Sequence, residues 1–453
     1  MDTISRLNEN LSKLDAVRKT SMDFLASLVD DKSFVETGTF ASGAAYADGV
    51  EAQGEGIVTG YATIFGIPVY LFVQNFEAMK GSFSVMQAKK IESVLKASVK
   101  NGVPFVSVID SAGARLDEGT SVLEGYAGII KLAASMKGVV PHIAVVTGAC
   151  AGLMSDYANM ADVLIVGKNG YISQGSPSVV LAKEKKTCSP VETLGADNAL
   201  SSGMAALTFE SADELKNSIA DVLTFLTGAQ TDGDNPNKTA KTASDVKSAF
   251  AAVADKGSVI ELYKGYSLST ATFFARVGGS PVGVLCAEGL LCCDDFKKIK
   301  RFVNLLDSYG IPLITLVDSE GINNSYDCET HGLSRIASEA FTAMALSDNP
   351  KISVIVRNSV GGAYALLSSK GIGFDYTLAF SDACVAPLSG EQAVNFYDED
   401  ISGDPVKCKE KLKKDYTFAE GNPFLSAKEG YIDNVIDGRE IKPYVASALN
   451  MLL

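Results

Sequence analysis

With 453 residues, the chain is too long for one ordinary hydrophobic core and suits two domains of roughly 200 residues each. Its 47% hydrophobic and 21% charged content is that of a globular protein, and no apolar run approaches the ~20 residues a membrane helix needs, so no membrane span is expected. Against 40 basic residues stand 54 acidic ones, and a formal net charge of -14 opposes diffuse binding to nucleic acid or to an anionic membrane; an anionic ligand needs a local site.

The first residues, Met1 to Asn10, are polar and mixed in charge, without the apolar centre of a secretory signal, and point to a cytoplasmic protein. The run Gly54-Glu55-Gly56-Ile57-Val58-Thr59-Gly60 is the first glycine-marked feature. Ala78-Met79-Lys80 resembles the setting of a biotin-accepting lysine. Its right flank, Gly81-Ser82-Phe83-Ser84, leads directly into a helix and leaves no room for the rest of a biotinyl domain. That helix carries Ile91, Val94, Leu95 and Ser98 at three- and four-residue spacing. A buried strand follows at Phe105 to Ile109, opening after a proline and closing at Asp110-Ser111. A second strand pattern, His142 to Val146, leads to Cys150-Ala151-Gly152.

A polar stretch with Gly and Pro, Gln230 to Thr239, reads as a linker between domains spanning 1-229 and 245-453. Beyond it the pattern starts again. Asp255 to Glu261 resembles Asp31 to Glu36, and Lys297-Lys298-Ile299, Tyr309-Gly310-Ile311-Pro312 and Leu316-Val317-Asp318-Ser319-Glu320-Gly321 answer Lys89-Lys90-Ile91, Asn101-Gly102-Val103-Pro104 and Val108-Ile109-Asp110-Ser111-Ala112-Gly113 at a constant offset of 208. Phe296, Ile299, Val303 and Leu306 give the second helix and Leu313 to Val317 the second strand; with a small change of offset, Lys351 to Ile355 answers His142 to Val146, and Gly361 answers Gly152. Each copy alternates strand and helix, which predicts an α/β fold with mostly parallel sheets.

The segments Asp110-Ser111-Ala112-Gly113-Ala114-Arg115, Cys150-Ala151-Gly152 and Gly361-Gly362-Ala363-Tyr364, with Asn422 to Ile436 near the end, resemble the signatures of the carboxyltransferase β subunits of propionyl-CoA and methylcrotonyl-CoA carboxylases. The resemblance covers roughly residues 25 to 453. It implies two tandem crotonase-like domains, an acyl-CoA side in the N-terminal one and a carboxybiotin side in the C-terminal one. It also implies active sites shared between subunits of a dimer or of a trimer of dimers. Coenzyme A enters as the substrate thioester, and biotin arrives on a biotin carboxyl carrier protein after carboxylation by a biotin carboxylase. No ATP or dinucleotide motif occurs in this chain, so that carboxylation belongs to a partner.

Carboxyl transfer builds negative charge on a thioester oxygen and on a biotin ureido oxygen, and main-chain N–H groups at a strand-to-helix turn stabilise such charge. The resemblance places these donors at Gly362 and Ala363 in the second copy and at Leu153 and Met154 in the first, where the family usually has glycine and alanine. The resemblance also assigns Gly113, Ala114, Gly152 and Gly361, in the surrounding turns, to binding the CoA thioester and biotin. Arg115 reads either as a contact to a CoA phosphate or as half of a structural ion pair, and Ala365 either as a position linked to acyl-chain choice or as a core alanine.

The family needs no side-chain base, and this chain has only His142 and His331, neither assigned a catalytic role. Eight cysteines without a C-x2-C pair read as reduced core residues, and no metal site is expected. Two other readings stay open. One is the carboxyltransferase of a biotin-dependent decarboxylase of the methylmalonyl-CoA or glutaconyl-CoA type. The other is a non-catalytic scaffold, suggested by Leu153-Met154.

Overall fold

The computed structural model describes residues 3–43, 53–175, 182–183, 189–396 and 405–453. It divides into two compact units, Met1–Thr227 and Gly228–Leu453. The division falls just ahead of the stretch read as a linker, and that stretch is docked on the second unit. The Thr231 N–H donates to the Gly279 carbonyl (3.2 Å), and Asp234 accepts the Lys256 N–H (3.2 Å). Local composition signalled a tether, but partners 22 and 48 residues downstream fix it.

In the first unit, helix α1 (Thr3–Leu28) is followed by strands β1 (Val35–Glu36), β2 (Ile57–Ile64) and β3 (Ile67–Gln74). Then come α2 (Val85–Asn101), β4 (Phe105–Ser111), α3 (Thr120–Met136), β5 (His142–Ala151), α4 (Leu153–Asn159), β6 (Val163–Gly167), β7 (Tyr171–Ser173), β8 (Leu207–Phe209) and α5 (Ala212–Leu226). The strand order is β1-β2-β3-β4-β5-β6-β8, with β7 pairing off the path onto β5. β2 and β3 form an antiparallel hairpin, whereas β3 through β8 run parallel.

The second unit repeats this plan: α6 (Val246–Val253), β9 (Ile260–Leu262), β10 (Thr270–Val277), β11 (Ser280–Leu291), α7 (Cys293–Ser308), β12 (Leu313–Ile322), α8 (Leu333–Leu346), β13 (Lys351–Val360), α9 (Gly361–Leu367), β14 (Tyr376–Phe380), β15 (Cys384–Ala386), β16 (Asn434–Ile436) and α10 (Ile441–Leu452). Its order, β9-β10-β11-β12-β13-β14-β16 with β15 on β13, is that of the first unit strand for strand.

The expected strands lie inside β4, β5, β12 and β13, whose lower halves are buried on both faces, as central parallel strands are. The expected helical stripes lie on α2 and α7. Ser84 caps α2 by accepting the Gln87 N–H, and Gly102 ends it in the left-handed region (φ 64°). Ile91, Val94 and Leu95 join Phe72, Phe105, Ile109 and Ile129 in the first unit's main core; that of the second gathers Val284, Ile314, Leu316, Val354 and Leu378 against α6 and α10. Among the described residues no helix is long and apolar enough to cross a membrane, and no cluster of three or more His, Cys, Asp or Glu is arranged to hold a metal ion.

Candidate active site

In each unit the two central strands pair in step through their lower halves and then lose step. β4 and β5 match Phe105 with His142 through Ile109 with Val146, then resume at Ser111 with Cys150. β12 and β13 match Leu313 with Lys351 through Val317 with Ile355, then resume at Ser319 with Ser359. These bulges bend the upper ends of β5 and β13 away from β6 and β14 and onto β7 and β15.

The bent strand then turns into a short helix. Gly152 (φ 66°, ψ -146°) leaves β5, tied by its N–H to the Ser173 carbonyl (3.0 Å), and α4 begins at Leu153. At the equivalent point of the second unit Gly361 (φ 53°) opens α9. Leu153, Met154, Gly362 and Ala363 therefore occupy the first positions of helices, where backbone N–H groups have no intrahelical acceptor.

The departure from glycine and alanine in the first unit has a packing explanation. Met154 is fully buried in the core with Tyr157 and Leu164, and Leu153 packs against the same cluster. Met154 places its bulk in the interior and Leu153 rests part of its own against it, leaving the backbone geometry of the turn intact. In the second unit Ala363 is fully buried, and a Cβ at Gly362 would lie 2.4 Å from Ile322 Cδ1. A side chain there would have to displace the tip of Ile322. Ala365 is half-buried, on the turn of helix after Ala363.

A second segment borders each turn. Gly113 (φ 114°) and Gly321 (φ 121°) lie beside the carbonyls of Ala151 and Val360, at 3.7 and 3.6 Å from where their Cβ atoms would be. Gly113, Ala114 and Arg115 form a strand-like bridge with Phe83. The Phe83 N–H donates to Gly113, the Arg115 N–H to Phe83 (both 2.9 Å), and the Ala112 N–H to Lys80 (3.0 Å). Lys80 thus belongs to a turn whose carbonyl anchors this segment, with Gly81 so close that a Cβ would meet the Asp110 carbonyl oxygen at 1.9 Å. The Arg115 guanidinium is engaged by the buried Glu55 carboxylate and by Glu118 (3.4 Å), the surroundings of the ion-pair alternative.

Sequence reading missed the residues that tie these turns together. Lys90 buries its ammonium against the carbonyls of Gly54 (3.2 Å) and Ile57 (2.8 Å), and Lys298, its counterpart in the repeat, against those of Tyr266 (2.9 Å) and Thr270 (2.8 Å). Burial pulls both lysines down to about 8. A lysine recurring inside two apolar helix stripes was the available signal. In the first unit a chain of amides continues the tie: Gln87 Nε2 donates to the Glu55 and Ser82 carbonyls, Gln74 Nε2 donates to Gln87 Oε1, and Gln74 Oε1 accepts the Asp110 N–H.

Neither histidine has catalytic surroundings. His142 Nε2 meets Ser107 Oγ (2.8 Å), which also meets the Tyr157 hydroxyl (2.9 Å); all three lie in the interior, and burial lowers His142 to about 3, so it stays neutral. His331 is exposed beside Asp327.

The carboxyl transferase domain model matches residues 13–453, nearly the whole chain. The chain belongs to the carboxyl transferase family. Among relatives, it is 30% identical to the methylmalonyl-CoA carboxyltransferase 12S subunit of Propionibacterium freudenreichii subsp. shermanii, across 96% of this chain and 88% of that one. It is 30% identical to the methylmalonyl-CoA decarboxylase subunit alpha of Veillonella parvula, across 100% and 96%. To the propionyl-CoA carboxylase beta chain of Roseobacter denitrificans it is 29% identical, across 99% and 94%. The crystal structure of transcarboxylase 12S with hydrolysed methylmalonyl-coenzyme A bound superposes with a TM-score of 0.92 at 28% identity, covering 99% of this chain and 95% of that chain. This carboxyltransferase is a biotin-dependent enzyme of acyl-CoA carboxyl transfer, and each of its units has the crotonase-like plan the resemblance implied.

Proposed function

We propose that the N–H groups of Leu153 and Met154 hold the thioester oxygen of an acyl-CoA, and those of Gly362 and Ala363 the ureido oxygen of biotin. The observation that carries this is the repeated geometry: a bulged strand, a left-handed glycine and a helix start in both units, at the positions the family resemblance assigns. The turns fit their ligands' chemistry. A Cβ at Gly362 would press on the tip of the Ile322 side chain, and with glycine there the turn presents main chain alone as its donor surface. At the first turn Met154 is absorbed by the core and Leu153, partly buried, packs against it.

When bound, carboxybiotin supplies the carboxyl group and, once that has left, a proton acceptor. The chain's task is to make the acyl-CoA α-carbon acidic and nucleophilic. The Leu153 and Met154 amides, fixed at a helix start, stabilise the oxyanion that forms as the α-proton leaves, and one such donor is worth ~3 kcal/mol. Gly113 and Ala114 border the turn and shape its approach, and Arg115, through Glu55, fixes that border. Ala365, one helical step beyond the second turn, faces the choice of acyl chain.

The physiological assembly of this reading is an acyl-CoA carboxylase, in which a biotin carboxylase and a biotin carboxyl carrier protein deliver the carboxyl group to a homo-oligomer of this chain, a dimer or a trimer of dimers. The crystal structure of the 12S relative is described as a hexamer assembly. A decarboxylase role is the second reading, favoured by the 30% identity to the Veillonella parvula decarboxylase subunit over the full chain. Co-purification separates them: an ATP-dependent biotin carboxylase marks the first, a membrane sodium pump the second.

The test is decarboxylation of malonyl-CoA and methylmalonyl-CoA with free biotin as acceptor. Proline at position 362 removes the N–H, and Ile322→Ala makes room for its ring. The double variant Gly362→Pro/Ile322→Ala is expected to lose 100-fold or more in kcat relative to Ile322→Ala alone, as for one oxyanion donor. Equal turnover in a folded double variant removes Gly362 from the mechanism.

A further inference from the structure

Each donor turn hangs from a strand that a bulge has bent, and each bulge is fastened by one carboxylate. In the first unit Asp110, the residue at the point where β4 and β5 lose step, accepts the Ala149 N–H at Oδ1 (2.8 Å). In the second, Asp318 stands at the same point of β12 and accepts both the N–H (3.1 Å) and the side-chain Nδ2 (2.8 Å) of Asn358. Ala149 and Asn358 are equivalent: each begins the stretch that leaves the main sheet for β7 or β15, and each lies three residues before the glycine of its donor turn.

We infer that Asp110 and Asp318 are positioning residues for carboxyl transfer, each setting the angle at which its strand delivers the donor turn. The inference rests on the assignment of those turns as donors. A bulge removes the ladder acceptor from the residues that have lost step. A carboxylate projecting from the neighbouring strand replaces it, and charge-assisted bonds of this kind are shorter and stiffer than neutral ones. The side chain acts on the turn through the backbone and touches no reacting atom.

The two fastenings are built differently, which separates their tests. Asp110 folds over Gly148, where a Cβ would lie 2.4 Å from Oδ1 and 2.6 Å from Oδ2. The matching position in the second unit is Arg357, exposed, which lines with Asp318, Glu320 and Asp382 a polar cavity of about 560 Å³. Asp110 therefore tolerates nothing at position 148, and Gly148→Ala evicts its carboxylate without removing it. The titratable groups that face Asp110 are Cys150 on β5 and Tyr171 on β7, both raised by burial and so neutral from pH 5 to 8. Burial also raises Asp110, to about 6.

The experiment measures kcat and separate KM values for methylmalonyl-CoA and free biotin in the decarboxylation assay. Asp110→Ala and Gly148→Ala are expected to lower kcat at least tenfold and raise KM for the acyl-CoA, leaving KM for biotin unchanged. Asp318→Ala is expected to raise KM for biotin instead. Asp110→Asn and Asp318→Asn, whose amide oxygens accept the same N–H, are expected to recover to within about threefold, and Asp110→Asn to lack the shallow acidic limb near pH 6 expected of the unaltered enzyme. Melting curves establish that each variant is folded; if Asp110→Ala is not, Gly148→Ala and the pH profile of Asp110→Asn decide.

Unchanged constants in folded Asp110→Ala and Gly148→Ala, or equal changes in both KM values, overturn the inference. Leu153→Pro is run in parallel. Full activity there overturns the donor assignment itself, whereas an inactive Leu153→Pro beside an unaffected Asp110→Ala overturns the positioning role alone.

Discussion

The guanidinium of Arg115 lies against the carboxylate of Glu55, sixty residues earlier, with the two side chains only 5% and 1% exposed. Glu55 sits in a turn whose residues Gly54, Glu55 and Gly56 are all left-handed (φ 65°, 61° and 66°). Its other oxygen accepts the Gly43 N–H at 2.6 Å. One buried ion pair thus joins the turn that opens β2 to the segment bordering the first of the two proposed donor turns.

Removing one partner strands a buried charge, which costs about 3–5 kcal/mol, whereas removing both leaves an apolar hole of tolerable cost. Glu55→Ala and Arg115→Met are each expected to destabilise the chain by that amount, and the double variant by less than their sum. A double-mutant cycle in urea measures the coupling, and additivity would show that the pair carries no interaction. Arg115→Lys does not substitute, because a compact ammonium cannot reach both Glu55 and Glu118 in the guanidinium's fork.

Lys90 and Lys298 make a second pair of predictions. Each variant to methionine takes the ammonium donor from two carbonyls, Gly54 and Ile57 or Tyr266 and Thr270, of which Thr270 keeps the Ser267 hydroxyl (3.3 Å). A buried acceptor left unsatisfied costs about 1–3 kcal/mol. We expect Lys90→Met and Lys298→Met each to lower the Tm by several degrees. A stability equal to that of the unaltered chain would mean the carbonyls find water.

Asp110 gives a pH-dependent prediction with a definite sign. Its folded pKa, raised by burial to about 6, exceeds the ordinary carboxylate value of 3.8. Between those values the folded state holds the proton more tightly, so this group's contribution to stability falls as pH rises from about 4 to 6 and is flat above. Asp110→Asn, which carries no charge to bury, is expected to melt higher than the unaltered chain at pH 8 and to converge with it only as the pH falls to about 4. Parallel melting curves from pH 4 to 8 would refute this.

The first donor turn can be probed through its side chains as well as its amides. Met154 is wholly buried, so Met154→Ala is expected to cost about 2–5 kcal/mol, while the volume-conserving Met154→Leu costs less than about 1.5 kcal/mol. Equal stability for the two variants would place the side chain outside the core. Leu153→Pro removes one proposed donor, and turnover in the decarboxylation assay is expected to fall about 100-fold.

Much of this molecule is written locally. The offset that carries Lys89-Lys90-Ile91 to Lys297-Lys298-Ile299 and Asp110-Ser111 to Asp318-Ser319 establishes two copies of one unit, because strand and helix periodicities and the proline and glycine stops are properties of short segments. Gly152 and Gly361 announce their turns for the same reason, since a left-handed residue at a helix start asks for glycine. Pairings across the fold were decided only by tertiary structure. Whether Arg115 meets an acid, whether Met154 faces the core, and which N–H Asp110 accepts depend on a register shift between parallel strands and on partners 30 to 60 residues away. No local pattern encodes these contacts, because their free energy arises from burial and hydrogen-bond satisfaction in the packed sheet, where a slip of one residue would exchange every partner.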